Sequence, residues 1–140
     1  MRRIVLALGL GAVSCGRGPD PGLSALPLGE LGAFEYTERM ALPESVTRWS
    51  GRRVRATGFI NPTSQARGLT AFLLVKDRAS CCFGRRPQIN HYIEVRLKPG
   101  RTADYTTDSV TVEGRFLVED RWDGDWQLGL YWMDDAEVVR

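Results

Sequence analysis

The chain has 140 residues with 19 Lys and Arg against 17 Asp and Glu, a length that suits one domain and excludes a large multidomain enzyme. Its 43% hydrophobic and 26% charged residues sit near the globular average, which argues against a disordered tail or a membrane bundle. A formal charge of +2 is too small to imply a nucleic-acid partner, because basic binders carry a clustered excess.

Arg2 and Arg3 form a positive n-region, residues 4–13 are an unbroken run of apolar residues and glycine, and small Ser14 precedes Cys15. That order predicts a secretory signal over residues 1–14. The run is too short to cross a bilayer core, which needs about 20 helical residues. Ala12-Val13-Ser14-Cys15 resembles a bacterial lipobox, and the resemblance implies that Cys15 becomes the lipidated first residue of the mature chain. A signal peptide cut elsewhere and a short N-terminal helix are the alternatives. One acyl chain, at about 0.8 kcal/mol per buried methylene, anchors marginally, whereas several anchor stably. The domain would then be tethered to the membrane without being inserted in it. Gly16 stands where Asp signals inner-membrane retention in some bacteria, which points to the periplasmic face of the outer membrane. Removal of Arg2 and Arg3 with the signal leaves 17 basic against 17 acidic side chains, so the charge argument for nucleic acid disappears.

Residues 15–33 are rich in Gly and Pro (Gly16, Gly18, Pro19, Pro21, Gly22, Pro27, Gly29, Gly32) and predict a flexible spacer behind the lipidated Cys. Residues 34–50 form a lead-in in which Pro43 interrupts any long helix, leaving a short one over about Glu44–Trp49. Residues 51–140 alternate as strands. In Arg53–Ile60, Val54, Ala56, Gly58 and Ile60 share one face. Ala71–Lys76 is a short apolar run that suits burial on both faces. Ile89–Leu97 places Ile89, His91, Ile93, Val95 and Leu97 on one side. Ser109–Glu119 alternates through Val110, Val112, Gly114, Phe116 and Val118, and Asp123-Gly124 marks a hairpin into Gln127–Met133, with Ala136–Val139 extending or packing beside it.

Five short strands without a long helix predict an all-β chain built as a small five-stranded OB-like barrel, since closure removes exposed edges. A five- to seven-stranded sandwich is the alternative. Gly58 and Gly114 fall mid-strand, where barrels bend. The four tryptophans, Trp49, Trp122, Trp126 and Trp132, suit core or rim packing more than a ligand platform, and Trp122 and Trp126, which flank the hairpin turn, form the candidate contact surface.

The chemically distinctive residues are Cys81 and Cys82. Neighbouring Cα atoms lie about 3.8 Å apart, below the usual disulfide range of about 4.4–6.8 Å, so a bond between them closes a strained, easily reduced ring. Three readings stay open besides pairing with another chain: two small buried residues at a strand end; a soft-metal site for Zn or Cu(I) with His91, the only histidine, as third ligand; or a redox-active vicinal dithiol.

Gly51-Arg52-Arg53-Val54, Gly58-Phe59-Ile60-Asn61-Pro62, Phe72-Leu73-Leu74-Val75, Cys81-Cys82-Phe83-Gly84 with Pro87 and Asn90, Asp123-Gly124 and Leu130-Tyr131-Trp132 together resemble a bacterial family of exported proteins classed as a domain of unknown function. The likeness runs over about residues 43–139, with the Cys-Cys-Phe-Gly element as its most specific part. It implies an OB-like β domain and export, and it supplies no activity. A more distant likeness is to permease-associated proteins with a paired-Cys segment and a metal-handling role. This chain departs from them in having Gly84, Arg85 and Arg86 where an acidic residue would follow Cys82.

No nucleophile elbow, phosphate-cradling loop or His-rich metal motif stands in the sequence, and the adjacent Asp134 and Asp135 suit a solvated turn. Arg52, Arg53 and Arg55 cluster, yet alternation puts Arg53 and Arg55 on a solvated strand face. The expectation is therefore a non-enzymatic envelope lipoprotein that binds or assembles with an envelope protein or a small ligand, not with nucleic acid. The alternatives are a metal-handling accessory protein using Cys81, Cys82 and His91, or a vicinal dithiol acting in redox.

Overall fold

The computed structural model describes residues 23–61, 64–78 and 87–139. Residues 1–14, expected as a signal, and Cys15, Cys81 and Cys82 lie outside the described residues. Six strands carry the fold: β1 Ser24–Ala25, β2 Arg53–Ile60, β3 Ala71–Val75, β4 Tyr92–Leu97, β5 Val110–Asp123 and β6 Trp126–Val139. Two one-turn helices, α1 Leu28–Leu31 and α2 Glu44–Thr47, precede β2.

The strands form one sheet in the order β1-β2-β3-β4-β6-β5, and β5 pairs back onto β2. Five strands therefore make a partly closed ring of ladders. The returning ladder has six rungs, from Arg53↔Arg115 to Gly58↔Val110, whereas β2 and β3 share only two, Phe59↔Val75 and Ile60↔Leu74. Inside the ring lie Val54, Ala56, Phe72, Leu74, Ile93, Val95, Val112, Phe116, Tyr131 and Met133. The period-two reading of β2 holds, with Val54, Ala56, Gly58 and Ile60 buried and Arg53, Arg55 and Thr57 exposed.

Two glycines permit the ring to tighten. A Cβ on Gly58 would stand 2.5 Å from the Val75 carbonyl oxygen and 2.8 Å from Leu28 Cδ1. One on Gly114 would stand 2.7 Å from Met133 Cγ and 3.0 Å from Ala136 Cβ. Opposite Gly114 the β5–β6 register slips between Glu113↔Glu137 and Arg115↔Asp134. The extra residue there, Asp135, takes a φ of 51°, a left-handed conformation that Asp tolerates better than most residues. The result is a β-bulge that bends β6 against the core.

Four expectations change. The sheet has six strands and not five, because β1 comes from the stretch expected to be spacer. Within residues 15–33, the described part is built into the domain: Leu26 and Leu31 are buried, each contributing about 1.5–3 kcal/mol by leaving water. The strand expected from Ile89 begins at Tyr92, and Ile89–His91 form a 3-10 turn. That turn rotates His91 off the apolar face, leaving it exposed while Ile93 and Val95 stay buried. Finally, β5 and β6 are 14 residues each, longer than expected; of the two alternatives for Ala136–Val139, extension of the last strand is the one observed.

Gly58→Ala is expected to cost about 1–3 kcal/mol, the range for forcing atoms into a packed interior, because the nearest obstacle is backbone. Urea unfolding checks this; a midpoint equal to wild type would show that the Gly58 approach does not limit closure.

Candidate functional site

The register of β3 and β4 determines what meets at one end of the ring. Their last rung is Val75↔Tyr92, so the next residues outward, Lys76 and His91, face each other across the end of the ladder. Leu28, Gly29 and Gly32 bring α1 and the residue after it against the same place. These five residues line a cleft of about 120 Å³. That is the volume of a few waters and well below the several hundred Å³ of a drug-sized pocket.

Gly32 makes room for the imidazole: a Cβ there would stand 2.8 Å from His91 Cδ2 and 3.2 Å from Nε2. The Lys76 ammonium is 3.7 Å from Asp77 Oδ2, and both side chains are largely exposed. The pair is a weak, solvent-screened one. Beneath the turn, Asn90 is buried and its Nδ2 donates to the Phe34 carbonyl at 3.0 Å, which pins Ile89–His91 to the lead-in. The cleft thus offers one ammonium and one imidazole above an aliphatic floor. Such a set can hold a small polar or anionic group.

The wall formed by α1 is fixed from below. Tyr131 on β6 donates its hydroxyl to the Leu31 carbonyl at 2.7 Å. Farther along the same hairpin, Gln127 Nε2 donates to Tyr36 Oη at 2.7 Å, and the Arg39 guanidinium lies 4.1 Å from the Trp122 ring centroid. Residues 31–39 therefore run as a strap along the hairpin toward its turn.

The strap separates the two expected contact residues. Trp122 is half-buried under Arg39, whereas Trp126 is 69% exposed. They do not form one surface, because Trp122 pairs with Gln127 while Trp126 pairs with Asp123, and successive rungs face opposite sides of a ribbon. Trp49 and Trp132 are buried as expected. Trp132 Nε1 donates to the Glu119 carbonyl at 2.8 Å, and Arg121 lies 4.0 Å from its ring centroid. The Arg53–Arg55 face carries carboxylate partners, Asp135 at 3.3 Å and Glu113 at 2.6 Å.

Among the predicted site residues, Cys15, Cys81 and Cys82 lie outside the described residues, so His91 is the one member of the expected metal set with a described position. Among the described residues, no group of three His, Cys, Asp or Glu side chains is arranged to hold a metal ion, and no helix is long and apolar enough to cross a membrane. Lys76, Leu28, Gly29 and Gly32 escaped the sequence reading. The available signal was the leucine series Leu26, Leu28 and Leu31 among the glycines and prolines.

Burial, with a contribution from neighbouring Tyr36, holds the Tyr131 hydroxyl well above the ordinary tyrosine range. A proton held more tightly in the folded chain gives stability that is complete below the unfolded value of about 10 and is lost as pH rises above it. Tyr131→Phe should cost about 1–3 kcal/mol at neutral pH by leaving the Leu31 carbonyl unpaired. Urea titrations from pH 7 to 11 should show the wild-type advantage shrinking above about pH 10; a constant difference would contradict this assignment.

Residues 30–139 match the profile of a family described as "Protein of unknown function (DUF3299)". The chain is also similar to a solved DUF3299 family protein from Pseudomonas aeruginosa, at 25% identity and a TM-score of 0.49, over 68% of this chain and 66% of that one. The match thus spans just under two thirds of that protein. No curated protein matches.

Proposed function

The chain belongs to the DUF3299 family, whose function is unknown, and from that premise we propose that it is a lipid-anchored envelope protein whose β domain binds or assembles and does not catalyse. Export and anchoring rest on the sequence: the Arg2-Arg3 n-region, the short apolar run and the lipobox-like Ala12-Val13-Ser14-Cys15. In this reading Cys15 carries the acyl chains and the domain works at the periplasmic face of the outer membrane. The ring of five strands is read as an OB-like barrel, the architecture that leaves fewest free edges for a sheet of this size.

The observation that carries the binding reading is the cleft of Leu28, Gly29, Gly32, Lys76 and His91. Its two basic side chains and small volume fit a small polar ligand or one side chain of an envelope partner. Nucleic acid is not the partner in this reading, since Arg53 and Arg55 already face Asp135 and Glu113.

A second reading is favoured by one observation, the exposure of His91. An exposed imidazole is open to a ligand, and the chain between Lys76 and His91 contains Cys81 and Cys82. With those thiols His91 would supply donors for Zn or Cu(I). Without metal, Cys81 and Cys82 would act as a redox-active dithiol.

Metabolic labelling tests the anchor: wild type should incorporate labelled palmitate and Cys15→Ser should not, whereas an unlabelled wild type, or equal label in both, would contradict lipid attachment at Cys15. Metal analysis of the purified reduced protein separates the two readings. The binding reading predicts no stoichiometric metal. One equivalent of Zn or Cu that is lost in Cys81→Ser and Cys82→Ser would replace it with the metal-handling one.

A further inference from the structure

Three large apolar side chains are markedly exposed among the described residues: Trp126 at 69%, Leu128 at 40% and Val138 at 37%. Two of them, Trp126 and Leu128, sit together at the turn end of the β5–β6 hairpin. They are two residues apart, with half-buried Gln127 between them turned inward toward Tyr36 and Asp120. The turn itself carries exposed Asp123, Gly124 and Asp125.

The path of the chain leads to the same end. β1 runs parallel to β2 with Ser24 opposite Val54, and Val54 lies opposite Gly114 on antiparallel β5. Followed backward from Ser24, the chain therefore leaves the sheet in the direction in which β5 advances from Gly114 to Asp123. Those nine residues of β5 span about 30 Å at about 3.3 Å per residue. The nine residues from Leu23 back to Cys15 reach at most about 30–32 Å from Ser24 when fully extended. A chain of that length, continued in that direction, brings a bilayer that holds an acylated Cys15 within reach of the hairpin turn.

We propose that the Trp126–Leu128 tip of the β5–β6 hairpin docks in the interface of the bilayer that holds the lipidated chain. This rests on lipid attachment at Cys15. An indole at a turn suits that position, since its apolar body enters the headgroup layer while its N–H stays hydrated. Asp123 and Asp125 flank the tip in the turn, Arg121 is engaged by Glu119 at 2.6 Å, and the Arg39 guanidinium lies over Trp122 on the opposite face. The surface that fits is therefore zwitterionic, because an anionic one repels these carboxylates.

The test uses the full mature protein purified from membranes and reconstituted in phosphatidylcholine vesicles, with lipids brominated near the headgroup end of the acyl chains as quenchers. Wild-type tryptophan emission should be quenched, the quenching should be lost in Trp126→Phe with an unchanged melting temperature, and phosphatidylglycerol should weaken it. If both proteins float with the vesicles and quench alike, the docking is overturned while the anchor stands. If neither floats, the anchor itself fails, and the proposal with it. Shielding of Trp126 from aqueous iodide that depends on protein concentration and not on lipid would assign the tip to a second copy of the chain and overturn the proposal.

Discussion

The return of β5 onto β2 is the constraint from which the rest of the molecule follows. Six rungs join these strands, and they can form only if β5 and β6 bend enough to bring the sheet round. Gly114 supplies the close approach and Asp135 the extra residue that bends β6 opposite it. On the other side of the ring, Gly58 lets the backbones of β2 and β3 come together where their ladder is only two rungs long. Ion pairs such as Arg55–Glu113 decorate the outside of this seam, yet an exposed pair contributes at most about 1 kcal/mol. The interior side chains, including Val54, Ala56, Val112 and Phe116, stabilise the closed ring more, because each removes its apolar surface from water.

Once the ring is formed, its ends need covering, and residues 26–39 do so. Leu26 and Leu31 fill the core from outside the ring, Tyr131 holds α1 by its backbone, and Tyr36 and Arg39 continue along the hairpin to Gln127 and Trp122. Because α1 is held there, Gly29 and Gly32 face Lys76 and His91, and the cleft is a consequence of how the ring is capped. The same strap hides Trp122 and leaves Trp126 outside. One segment thus shapes both the cleft and the exposed hairpin tip.

Most of the strands were legible because their burial alternates with period two, as in Val54, Ala56, Gly58 and Ile60, or Val112, Gly114 and Phe116. The signal failed where local chemistry and tertiary packing diverged. Glycine and proline marked residues 15–33 as spacer, but Leu26 and Leu31 find buried places that composition cannot reveal. His91 sat in phase with Ile93 and Val95, and a 3-10 turn changes the side-chain period from 2 to 3, which turns it outward. Trp122 and Trp126 are neighbours in sequence about the turn, and only the rung pairing shows that they face opposite ways. The cleft was not legible, because it depends on the register Val75↔Tyr92 and on α1 arriving from far away in sequence.

In the proposed setting, one acylated residue joins a neutral, ring-closed β domain to a membrane, and the cleft and hairpin tip act there. The intact mass of the protein isolated from its native membrane tests the joint directly. A chain that begins at Cys15 and carries the added mass of its acyl groups is the predicted result. A chain that begins elsewhere, or that retains an unmodified Cys15, would contradict it.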